Sequence, residues 1–153
     1  MRSSKKDSAS FPEIKSVRTL PDYKIAVVFL RGETRVYDVK PWFDKQPKYF
    51  KQLKRNHCFD DVVAHSYAIE WDDKAGFGCD ELYYGGKRVK TPFDDLVSLQ
   101  DALKLWNLKE GVILKAIKKG ELLDNIEVRQ IGKTMLFSRK ALVRLFGPQK
   151  TEY

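Results

Sequence analysis

Cysteine, histidine, glycine and long apolar runs are all scarce in this sequence, and each shortage closes off a class of protein. Cys58 and Cys79 are the only two cysteines, too few for a disulfide scaffold, and no apolar secretory segment opens the chain, so a reducing cytoplasm is the expected setting. With 9 Gly and 6 Pro in 153 residues, collagen-like and low-complexity classes are excluded. The longest apolar run, residues 25–30, is stopped by Arg31, far short of the roughly 20 residues that span a bilayer, so no membrane partner is expected.

Metal and catalytic chemistry find little support. His57, Cys58, His65 and Cys79 are the only soft ligands, the adjacent His57 and Cys58 rarely hold one ion together, and no C-x-x-C or H-x-x-x-H spacing occurs. Neighbours on an extended chain point opposite ways, so His57 does not activate Cys58 as a nucleophile. Asp60-Asp61, Asp72-Asp73 and Asp94-Asp95 read as solvated turns. Gly76-Phe77-Gly78 and Gly85-Gly86 lack the basic helix start that a phosphate-cradling loop requires. The sequence therefore predicts no catalytic residues, no cofactor and no metal: not an enzyme.

What the chain has in quantity is charge. The 29 Lys and Arg against 21 Asp and Glu give +8, which favours polyanionic or acidic partners. Residues 1–95 hold 18 basic and 15 acidic side chains and residues 96–153 hold 11 and 6, so the shorter part is the more basic. The stretch from Gly85 through Lys87, Arg88 and Lys90 to Pro92 lies just before that change. Three segments follow: a flexible basic arm at 1–11 carrying Arg2, Lys5 and Lys6, a domain at 12–90, and a second at 91–153. The expected class is α+β, a small antiparallel-sheet domain followed by a winged helix-turn-helix.

In the first domain, residues 14–20, 23–30 and 34–39 are β-branched and aromatic runs parted by Pro21-Asp22 and Arg31-Gly32-Glu33, the mark of an antiparallel meander. The middle run is apolar on both faces, so it should be central, with both faces covered. Residues 48–55 put Phe50 and Leu53 on one helical face, and Trp42, Phe43, Tyr49 and Phe59 read as core. Strands are predicted near 62–64 and 68–71, with residues 80–84 closing the unit. Pro12-Glu13-Ile14, Val17, Leu20, residues 29–33, Arg35, Tyr37, Asp38, Phe50, Leu53, Ile69-Glu70-Trp71 and Leu82-Tyr83 together resemble a small bacterial family, domain of unknown function 2442. That resemblance implies a compact α+β domain, found alone or joined to a helix-turn-helix, suspected in some members to be an antitoxin, and without known catalytic residues.

In the second domain, Ser98 with Asp101 three residues on marks a helix start, and Leu99, Ala102, Leu103 and Trp106 recur at helical spacing. A break at 107–109 precedes a helix over 110–119, whose apolar face is Ile113, Ala116 and Ile117 and whose stop is Gly120. Residues 127–131 and 134–137 form a hairpin about Gly132-Lys133, and Ser138 caps a last helix through Phe146. Leu105-Trp106-Asn107-Leu108, Lys118-Lys119-Gly120-Glu121-Leu122, Ile131-Gly132-Lys133 with Phe137, and Arg144-Leu145-Phe146-Gly147 are similar to excisionase-like bacterial helix-turn-helix domains. By that resemblance Lys115, Lys118, Lys119, Arg129, Lys133 and Arg139 neutralise phosphates of double-stranded DNA while Leu114 approaches base edges. Lys109 stands where Ser or Thr usually caps the second helix, Leu114 replaces a polar base-reader, and Glu110 opposes an approaching phosphate.

Two functions fit. The first is a DNA-binding transcriptional regulator of bacterial or phage type, an antitoxin if its first domain masks a toxin, and a homodimer if its operator is palindromic. The second is a protein-directed inhibitor or adaptor, of anti-defence or anti-CRISPR type, that docks the basic surface on a protein or a nuclease complex.

Overall fold

Alternating apolar residues need a hairpin turn to meet, and Pro21, Asp22 and Tyr23 supply it, the last two at φ of 64° and 57°. The computed structural model describes residues 11–150 apart from Asn56 and Asp73. The arm expected at 1–11 lies, but for Phe11, outside the described residues. The chain divides into two compact units, one ending at Thr91 and one beginning at Pro92. The class is α+β, with small antiparallel sheets and six α-helices among the described residues. None of those helices is long and apolar enough to cross a membrane.

The first unit begins with the meander β1 (Ile14–Leu20), β2 (Lys24–Phe29) and β3 (Thr34–Asp38), with β2 central. Two short helices follow, α1 (Lys40–Lys45) and α2 (Pro47–Phe50), each with proline in its first turn, where a missing N–H costs nothing. Residues predicted as one helix over 48–55 instead divide between α2 and a 3₁₀ turn, Lys51–Lys54, yet Phe50 and Leu53 are both buried. A second small sheet joins β4 (Val63–Ala64), β5 (Ala68–Glu70) and β6 (Gly76–Gly78). Glycine is required in β6, because a Cβ on Gly76 would lie 2.5 Å from the Ile69 carbonyl oxygen.

Residues 80–84 lie in a helix, α3 (Cys79–Gly85), which leads into β7 (Lys87–Val89). The stretch just before the domain boundary thus adds a fourth strand, giving the order β1-β2-β3-β7. Tyr37 fastens α3 to the sheet: its hydroxyl donates to Glu81 Oε2 at 2.6 Å and accepts from Trp42 Nε1 at 2.8 Å. Burial, then the Glu81 carboxylate, push this phenol well above its ordinary range.

Aromatic rings fill the core. Phe77 sits among Tyr37, Trp42, Phe50 and Trp71, stacking on Phe50 at 5.2 Å between centroids. Trp71 stacks on Phe59 at 5.6 Å and donates to its carbonyl at 2.7 Å. Ile25, Val27 and Phe29 face this core, whereas Ala26 and Val28, on the other face of β2, are only half-buried. The expectation that both faces of the central strand are covered is met for one.

The second unit starts with a strand that sequence reading missed, β8 (Leu96–Ser98). Ser98 caps α4 (Leu99–Leu105) by accepting from the Asp101 N–H at 3.2 Å. Asn107, at φ 53°, turns the chain into α5 (Glu110–Lys118), which Gly120 ends at φ 81°. Strands β9 (Val128–Ile131) and β10 (Thr134–Ser138) form the hairpin, with Gly132 at φ 62° in its two-residue turn, and α6 (Arg139–Phe146) closes the unit. The sheet order is β8-β10-β9.

Helices this short are unstable alone, so packing must hold them. Val97, Ala102, Leu105, Trp106, Ile113, Leu122, Val128, Phe137 and Leu142 are all buried, and Trp106 Nε1 donates to the Gly147 carbonyl at 2.7 Å. Phe137 is paired in register with both Val97 and Val128 and has no exposed surface. Replacing it by alanine is expected to cost about 3–5 kcal/mol. Urea unfolding checks this, and a cost below about 1 kcal/mol would contradict the packing described.

Candidate nucleic-acid interface

Amphipathicity decides what α5 presents. Ile113 and Ala116 are buried and Ile117 is half-buried. With ~3.6 residues per turn, the opposite side then carries Gly111, Leu114, Lys115 and Lys118, with Lys119 next to them at the helix end. Leu114 is 42% exposed. The side chains of Lys115, Lys118 and Lys119 are exposed and make no hydrogen bond or ion pair with any described residue.

The start of α5 is poorly finished. Lys109 occupies the cap position and offers no side-chain acceptor, and Glu110 places a carboxylate in the first turn. That charge suits the helix dipole and opposes a phosphate there. An anion meeting α5 therefore finds its cations in the helix's second half.

The hairpin supplies two more cations. Lys133 lies in the Gly132-Lys133 turn, exposed and without a described partner. Arg129, on β9, donates one nitrogen to the Asn125 carbonyl at 2.9 Å and stays exposed.

Arg139 is placed differently from the sequence expectation. Its guanidinium donates to the Asp94 carbonyl at 3.3 Å, to the Leu96 carbonyl at 3.5 Å and to Gln149 Oε1, so it ties the start of β8 to α6 and the chain beyond it. Asp95 reinforces the same junction, accepting from the Ser138 hydroxyl at 2.8 Å and the Lys140 N–H at 3.0 Å. Five of the six basic residues named from sequence thus stay exposed, and the sixth is half-buried in a joint of the fold.

Arg144 is likewise engaged. It grips Glu127, with Nη2 to Oε1 at 2.9 Å, and reaches the Glu121 carbonyl at 3.1 Å, pinning the loop between α5 and β9 to α6. Glu127 also accepts from the Leu123 N–H at 3.0 Å.

Sequence reading missed an apolar surface. A groove of about 410 Å³ on the hairpin sheet is lined by Leu96, Ile126, Ile131 and Leu136 together with Asp95, Glu127, Arg129 and Ser138, with Ile126 77% and Ile131 57% exposed. Its members are spread over three strands and a loop, so no local pattern announces it.

In the first unit, Phe43, Phe50 and Phe59 are buried, with Trp42 and Tyr49 packed against them, so these rings are core and not a stacking platform. A cavity of about 580 Å³ lies beside Asp22, Tyr23, Lys54, His57 and Asp60. Cys58 is half-buried and Cys79 buried, and burial followed by the Asp80 charge raises the Cys79 thiol above its ordinary range. No group of three or more His, Cys, Asp or Glu residues converges among the described residues.

Residues 14–102 match the model of a family described as protein of unknown function (DUF2442). The chain belongs to this family. The DUF2442 match covers the first unit from β1 onward, runs into α4 and stops there, so α5, the hairpin and Lys115, Lys118, Lys119, Arg129 and Lys133 lie beyond it. No curated protein and no solved structure matches the chain.

The Arg144 pair gives the second unit a pH signature. Hydrogen bonding from Arg144, then from the Leu123 N–H, lowers the Glu127 pKa from 4.5 to about 2. Because folding depresses this pKa, the stabilisation is complete above 4.5 and is lost as pH falls toward about 2. Melting temperature against pH should therefore fall more steeply across that window in the native chain than in Glu127→Gln. Parallel curves would show that the pair does not form in solution.

Proposed function

We propose that this DUF2442 member is a DNA-binding regulator of bacterial or phage type, whose second unit acts as a winged helix-turn-helix and whose first unit engages a protein partner. One observation carries the reading: Lys115, Lys118 and Lys119 line the outer side of α5 with no described partner, in a unit whose hairpin adds Arg129 and Lys133. At ~1.5 Å per residue, α5 is about 14 Å long, a fit for a major groove about 12 Å wide. In that pose the lysines meet phosphates and Leu114 meets a thymine methyl, an apolar contact that reads sequence without a hydrogen bond. Glu110 turns the first turn of α5 away from the backbone.

An antitoxin is one form of this regulator, with a toxin as the partner of the first unit. A homodimer would present two α5 helices to a palindromic operator.

The second reading, a protein-directed inhibitor or adaptor, draws on the exposed Val112, Leu114, Ile126 and Ile131, since aliphatic surface is what a protein interface buries. Lys118→Glu combined with Lys119→Glu separates the two. The regulator loses more than about tenfold in affinity for naked duplex, and its salt dependence flattens by about two counterions. Unchanged duplex binding by a folded double variant would contradict the proposal.

A further inference from the structure

The meander sheet has two faces of different character. Every helix among the described residues of the first unit lies on one of them: Phe43 of α1, Phe50 of α2 and Cys79 and Leu82 of α3 belong to the same core as Val17, Ile25, Val27, Phe29 and Tyr37. Strand register defines the other face. Arg18 pairs with Ala26, Ala26 with Val36 and Val36 with Lys87, so one row crosses all four strands with a cation at each end and two small apolar side chains between. The neighbouring row reads Ser16, Val28, Thr34 and Val89. Ser16, Ala26, Val28, Thr34 and Val36 are half-buried, whereas Arg18 and Lys87 are exposed.

We propose that this face docks an acidic amphipathic helix of a partner protein. The proposal deepens the reading of the first unit as partner-binding and is independent of whether the second unit binds DNA. A helix packs on a sheet where side chains are small and the surface is flat, and these two rows contain no aromatic ring. With strands ~4.8 Å apart, Arg18 and Lys87 stand about 14 Å from each other, which brackets a helix about 10 Å across, so carboxylates on its two flanks reach one cation each.

The charge of the face is one-sided. Lys24 stands at its edge beside Leu20, and Asp38, its neighbour in register, is already paired with Lys40 at 3.3 Å. Arg18 donates one nitrogen to the Val17 carbonyl at 2.9 Å, which leaves the rest of its guanidinium for a carboxylate. A second copy of the chain laid face to face would oppose cation to cation. A single nucleic-acid strand would find no ring to stack on.

The test uses the full-length, isotope-labelled chain and a synthetic helical peptide with an alanine and leucine stripe flanked by glutamates. Its lysine-flanked counterpart is the control. The glutamate peptide should move the amide resonances of Ser16, Ala26, Val28, Val36 and Lys87 while leaving Lys115 to Lys119 in place. Arg18→Glu with Lys87→Glu should weaken it about tenfold. Ala26→Arg, whose side chain projects from the open face and spares the core, should abolish the shifts with the rest of the spectrum intact. No shift in the sheet, equal binding of the lysine peptide, or self-association that Ala26→Arg disperses would each overturn the proposal. Duplex binding by Ala26→Arg is expected to equal that of the native chain, so failure here and failure of the DNA reading are told apart.

Discussion

A helix of nine residues does not hold its shape in water. The lysines of α5 stand in register only because Ile113 and Ala116 are buried in the second unit, as Leu105, Trp106 and Phe137 are. Everything proposed for the second unit depends on that burial. It fixes which side of α5 looks outward, and Gly120 at φ 81° fixes where the outward row stops.

Charge in this unit divides by task. Arg139 and Arg144, with planar multi-donor heads, are spent on carbonyls and side-chain oxygens that close the fold. The lysines, compact charges on flexible stems, are left at the surface. The joint between β8 and α6 gains from the fixed geometry of a guanidinium, and the proposed phosphate contacts would fall to the lysines and Arg129. The first unit follows a related economy, with Lys40 holding Asp22 and Asp38 while Arg18 and Lys87 remain exposed.

Strands β1, β2 and β3 are legible because each is a run of five residues or more, rich in β-branched and aromatic side chains, between turn residues. The caps of α4 and α6 are legible too, because Ser98 and Ser138 accept from N–H groups three residues on. Strands β6, β7 and β8 are not. Three residues carry no period, and each takes its edge from another strand: the nearby β5 for β6, and the distant β3 for β7 and β10 for β8. The bonds of Arg139 are hidden from the sequence in the same way. Its position in the first turn of α6 reads as outward-facing, and only the return of residues 94–96 beside it supplies carbonyls to bind. Apart from Pro12 and Glu13, the residues that carry the DUF2442 resemblance lie within the family match, whereas the candidate interface lies past its end.

We propose sequence-specific binding of duplex DNA, with the exposed cations of the second unit on phosphates and Leu114 at base edges. Fluorescence anisotropy of the full chain tests it most directly, titrated with a labelled duplex from its own upstream region and with a scrambled duplex over a range of salt. The upstream duplex is expected to bind more tightly at every salt concentration, with a log–log slope of about −4.5 for five phosphate contacts. Equal and wholly salt-screened binding of the two duplexes would contradict it.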